Sequence, residues 1–114
     1  MMKKNEVESL IKHLLEKNKK YSEKEIGFTD YCNTKLEDRG IERSLVIDTL
    51  TKGKELYYAE KQDLPEIRYK LIYKISSRYS LIIIVIYEEK VLKVINVIKT
   101  SKSAEKLWRK KVSG

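Results

Sequence analysis

The sequence has few of the residues that build covalently stapled or metal-stapled folds. Its one cysteine, Cys32, and one histidine, His13, exclude a disulfide scaffold and a Cys/His zinc site. Four glycines and one proline exclude a collagen-like or low-complexity chain. The longest apolar run, Leu81 to Tyr87, falls far short of the roughly 20 residues a membrane helix needs. The N-terminus is charged from Lys3 onward and lacks a signal-peptide apolar core, so a cytoplasmic protein with no membrane partner is expected. GxGxxG and GxxxxGK[ST] are both absent, which removes the Gly-rich phosphate loops. A single histidine among polar helix positions cannot support a Ser-His-Asp or Cys-His arrangement. The acid pairs Glu37-Asp38 and Glu88-Glu89 read as helix-end and turn surface. Neither metal nor cofactor is expected.

What is present fits one compact α+β domain spanning 1–114. With 41% hydrophobic and 37% charged residues, the 114-residue chain can bury a core beneath a heavily solvated surface. The formal charge is +8, and the excess belongs to the second half. Its last segment carries Lys99, Lys102, Lys106, Arg109, Lys110 and Lys111 against the single acid Glu105. A polyanion is the partner such a field favours, because neutralising phosphates releases counterions.

Apolar spacing along Val7, Leu10, Ile11, Leu14 and Leu15 predicts an amphipathic helix over residues 3–19. Ser22 and Glu25 have capping-box spacing. Thr29 can cap a second helix from Asp30 to Arg39, and a third follows from Glu42 to Lys52. Gly40 and Gly53 lie just past the two helix ends, where a left-handed cap suits glycine. From residue 55 the period changes to two. Short strands are expected over 55–59, 66–76, 80–87 and 91–100, giving four antiparallel strands, with a loop from Glu60 to Pro65. The run SLIIIVIY, residues 80–87, is apolar on both faces and reads as a central strand covered on both sides. Ala104, Leu107 and Trp108 predict a basic C-terminal helix.

The alternation in 66–76 sets Arg68, Lys70 and Lys74 on one pleat face, with Arg78 and Tyr79 at the next turn. Lys93 and Lys99 can extend this surface from the last strand. Tyrosines interleaved with such cations can stack on unpaired bases. The plainer reading of the same row is a solvated sheet face.

The segment YCNTKLEDRGIERSLVIDTLTKG, Tyr31 to Gly53, resembles a small-domain family with the pattern H-A-x-x-R-[ML]-x-x-R-G-I-x-x-x-x-[VI]-x-x-[TAL]-L-x-x-G. That family is related to the RelE/ParE and BrnT-like toxins of type II toxin–antitoxin systems. The resemblance extends over residues 28–110 and leaves the helix within 1–20 as an addition. Arg39 takes the place of the second arginine, Lys35 that of the first, Cys32 the small-residue position, and Tyr31 the histidine. It implies a RelE-like fold and metal-independent RNA cleavage by Lys, Arg and Tyr side chains. Lys70, Arg78 and Tyr87 are then the catalytic candidates. Arg39, Arg68, Lys74, Tyr79, Lys93 and Lys99 are candidates for holding nucleic acid, RNA in preference. An antitoxin protein is an implied partner. A non-catalytic DNA- or RNA-binding module and a protein-interaction domain forming a homodimer are the competing expectations.

Overall fold

The computed structural model describes residues 3–53, 55–63 and 65–101. Helix α1 spans Lys4–Asn18 and buries Val7 and Leu14. Strand β1 (Ile26–Phe28) leads into α2 (Asp30–Arg39), and α3 (Arg43–Lys52) follows. Strands β2 (Leu56–Gln62), β3 (Arg68–Lys74), β4 (Ser80–Tyr87) and β5 (Leu92–Thr100) complete the described fold.

Local chemistry sets the helix boundaries. Thr29 Oγ1 accepts a hydrogen bond from the Cys32 backbone N–H at 3.1 Å, capping α2. At the other end Gly40 adopts φ 64° and ψ 34°. Its N–H bonds to the Glu37 carbonyl, and the Ile41 N–H reaches back to Leu36 at 2.9 Å. This is a Schellman closure, sealed by the buried pair Leu36 and Ile41. Gly53 ends α3 differently, because its φ of −64° lies in the ordinary region. There the requirement is space. A Cβ on Gly53 would fall 2.2 Å from the Thr49 carbonyl oxygen and 2.4 Å from the Tyr73 ring.

The sheet has five strands in the order β1-β5-β4-β3-β2, with β1 parallel to β5 and every other pair antiparallel. The expected four-stranded antiparallel sheet is thus corrected to a mixed one. β1 is three residues long, too short to show a period, and pairing with β5 holds it. The Ser22–Glu25 spacing is real, since the Ser22 N–H donates to Glu25 Oε1 at 2.8 Å. It closes a single 3-10 turn over Glu23–Glu25. β2 runs on to Gln62 because Glu60, Lys61 and Gln62 pair with Lys70, Tyr69 and Arg68. The expected C-terminal basic helix lies outside the described residues.

One sheet face carries Leu71, Tyr73, Leu81, Ile83, Val85, Leu92, Val94 and Val97 into the core, against Leu14, Cys32, Leu36, Val46 and Leu50 of the helices. Helix α1 packs against β2 and closes that edge. Its Leu14 joins this core, while Val7 meets Tyr58 and Ile72 of the opposite face. The central position expected for residues 80–87 is observed, but the two faces are covered unequally. Leu81, Ile83 and Val85 are fully buried, whereas Ile82, Ile84 and Ile86 are only partly buried. Among the described residues no helix is long and apolar enough to cross a membrane.

Candidate nucleic-acid interface

The candidate cations do not converge on one hollow. Arg68 and Lys74 share a pleat face as expected, yet six residues of β3 separate them by about 20 Å. Lys70, between them, sits directly across from Glu60 of β2. At one end of the sheet Lys74 Nζ lies 5.8 Å from the Tyr57 ring centroid. Arg78 is exposed in the adjoining turn, whose Ser76 Oγ accepts from the Arg78 and Tyr79 backbone N–H groups at 3.2 and 3.1 Å. Tyr79 is 41% exposed, with Lys99 Nζ 4.7 Å from its ring centroid.

Lys93 and Lys99 do not lie on one face. The β4–β5 register pairs Ile84 with Asn96 but Val85 with Val94, so Ile95 is an extra residue in a bulge. Lys93 therefore stands opposite Ile86, on the outward face, and Lys99 opposite Leu81, on the helix side. An even spacing in sequence becomes opposite faces in space.

Tyr87 is packed beneath α1, away from Lys70 and Arg78. Its hydroxyl donates to Asn18 Oδ1 at 2.5 Å, while Asn18 Nδ2 donates to the Tyr73 hydroxyl at 3.1 Å. Burial holds the Tyr87 proton far above the usual tyrosine range, and the same cause raises Tyr73. A hydroxyl that gives up its proton so reluctantly is a poor general base. Lys70, Arg78 and Tyr87 thus occupy three separate surroundings.

Arg39 is exposed, but its guanidinium is engaged within the chain. Its Nη1 donates to Asn96 Oδ1 at 2.9 Å and to the Val97 carbonyl at 2.6 Å, tying the end of α2 to β5.

Two of the predicted residues do meet, at the other end of the outward face. Arg68 and Lys93 line a groove of about 490 Å³ together with Thr29 and Tyr31 from the start of α2. Ile84, Ile86 and Ile95 give it an apolar floor, and Asn96 adds an amide. Tyr31 is 57% exposed, with Lys35 Nζ 5.6 Å from its ring centroid on the same helix. Arg68 Nη2 lies 3.5 Å from Glu66, and Lys93 Nζ 3.9 Å from Glu88. Such solvent-facing pairs bind weakly and yield readily to a stronger anion. Arg68 Nε is buried and has no hydrogen-bond partner among the described residues.

Sequence reasoning did not place Tyr31, Thr29 or Asn96 in an interface. Tyr31 did carry a signal, as it occupies the histidine position of the resembling pattern. Asn96 is the one amide within the apolar run of β5. Among the described residues no three His, Cys, Asp or Glu side chains are placed to hold a metal. The chain matches no family model, no curated protein and no solved structure.

Proposed function

We propose that this chain is a nucleic-acid-binding domain that holds single-stranded RNA on the outward sheet face, without a cleavage centre of its own. The observation that carries this reading is the groove in which Tyr31, Arg68 and Lys93 surround an isoleucine floor. An exposed tyrosine offers a stacking surface to an unpaired base, and an arginine and a lysine beside it suit phosphate oxygens. The formal charge of +8 adds long-range attraction for a polyanion.

The RelE/BrnT-like ribonuclease remains the proposal's enzymatic version, and geometry gives it less support. Cleavage through the 2′-hydroxyl needs a base, an acid and phosphate-holding cations within reach of one phosphodiester. Lys70 faces Glu60, Arg78 is in a turn, and Tyr87 is inside the fold. Incubating the protein with a labelled single-stranded RNA in EDTA separates the versions. A retarded, intact strand is the expected result; shortened products would restore the enzyme.

A protein partner is a second reading, favoured by the apolar character of the same face. Ile98 is 36% exposed and pairs with the partly buried Ile82, with Ile84 and Ile86 further along the strand. A homodimer or an antitoxin-like complex would cover them. Sedimentation over a wide concentration range tests the dimer, for which a strictly monomeric profile is the contrary result.

A further inference from the structure

Asn96 is an amide whose orientation is settled by its neighbours. Its Oδ1 accepts from Arg39 Nη1 at 2.9 Å and from the Val97 backbone N–H at 3.0 Å. Both partners can only donate, so turning the amide over would set N–H against N–H. Arg39 is itself held, because Nη1 also donates to the Val97 carbonyl at 2.6 Å. The two Nδ2 hydrogens are left without a partner among the described residues, and Asn96 lines the groove. Thr29 behaves alike: its Oγ1 accepts from the Cys32 N–H at 3.1 Å, which leaves its own hydrogen free to donate. With Arg68 and Lys93 nearby, this wall offers hydrogen-bond donors, and its one carboxylate, Glu66, is engaged by Arg68 at 3.5 Å.

A wall of donors selects acceptors. The cations match phosphate, which every nucleotide has, so they discriminate nothing. An amide N–H₂ fixed beside a stacked base does discriminate, because uracil and guanine present an exocyclic keto oxygen where cytosine and adenine present an amino group. We infer that Asn96, oriented by Arg39, is a specificity-determining residue that favours bases with a keto oxygen in place of the exocyclic amino group, uracil and guanine, in the groove. The inference rests on the reading that the groove takes RNA, and it adds which bases it takes. An amino group at that place would meet the Nδ2 hydrogens donor to donor, leaving both unsatisfied.

Uracil and cytosine are both pyrimidines of equal size, so ten-nucleotide U and C oligomers hold length, base size and charge constant. Fluorescence anisotropy at fixed salt should show the U oligomer binding roughly three- to tenfold tighter, the span of one net hydrogen bond. Asn96→Asp keeps an acceptor for Arg39 and Val97 and replaces Nδ2 with an oxygen. Its added charge weakens both oligomers, but the U:C ratio should fall to unity or invert. Equal affinities in the unaltered protein overturn the inference without any variant being needed. A U preference that survives Asn96→Asp overturns it as well. Failure to bind either oligomer overturns the RNA reading itself, and this inference with it; tight binding without preference removes only the inference.

Discussion

Arg39 gives the sharpest contrast between a residue that binds a ligand and one that builds the site. Its two bonds, to Asn96 Oδ1 and to the Val97 carbonyl, join the C-terminal end of α2 to β5 across 57 and 58 residues of sequence. Hydrogen bonds to charged groups contribute about 1.5–3 kcal/mol each in protected settings. Arg39 is exposed, so water competes for its guanidinium, and Arg39→Ala is expected to cost about 1–3 kcal/mol in total. That corresponds to a fall in Tm of roughly 4–20 °C for a domain of this size. Arg39→Lys keeps the charge but loses the fork that reaches both acceptors, and should recover little of the loss. Urea denaturation followed by circular dichroism measures these differences. The salt dependence of RNA affinity supplies the control. Because both bonds are internal, the slope of log K against log salt should stay at the unaltered value. The reasoning is refuted if Arg39→Ala leaves stability within about 0.5 kcal/mol of the original while the slope shrinks by about 0.7, the signature of one lost single-strand phosphate contact.

Asn18→Ala removes the bridge between the Tyr73 and Tyr87 hydroxyls and should destabilise by about 2–5 kcal/mol in urea denaturation, from two lost bonds and two orphaned hydroxyls. Adding Tyr87→Phe to that variant should cost less than it does in the unaltered protein, since one orphan is then gone. Burial raises the pKa of both tyrosines in the folded chain, so their contribution is whole below the ordinary tyrosine value near pH 10 and is lost as pH climbs above it. Stability measured from pH 9 upward should decline by up to about 2.7 kcal/mol per pH unit above 10, and a flat profile would contradict this. Gly53→Ala should destabilise more than Gly40→Ala in thermal melts. The first forces a Cβ to 2.2 Å from a backbone oxygen, whereas the second meets open space and costs about 1–2 kcal/mol of left-handed strain.

Helix positions were legible because their signals are local. Thr29 and Gly40 bracket α2 with chemistry that needs no partner from elsewhere. The alternation in β3 likewise fixed which residues share a face. β1 was not legible, since Ile26-Gly27-Phe28 becomes a strand only when β5 lies beside it. The bulge at Ile95 was not legible either, and it alone separates Lys93 from Lys99. Tyr87 shows the same limit from another side. Residues at the end of an apolar strand can face the core or a ligand, and only the arrival of Asn18 from α1 decides between them. The groove itself was not legible: Arg68 and Lys93 were named from charge, and Tyr31 joins them only through the packing of α2 beside β5.

The central claim is that RNA lies in the groove of Tyr31, Arg68 and Lys93. Its most direct test is the salt dependence of affinity for a twelve-nucleotide single strand, compared between the original protein, Arg68→Ala/Lys93→Ala and Lys74→Ala/Arg78→Ala. The first pair should reduce the slope by about 1.4, two single-strand phosphate contacts, while the second pair should change it little. The reverse pattern would move the interface to the opposite end of the sheet and contradict the account.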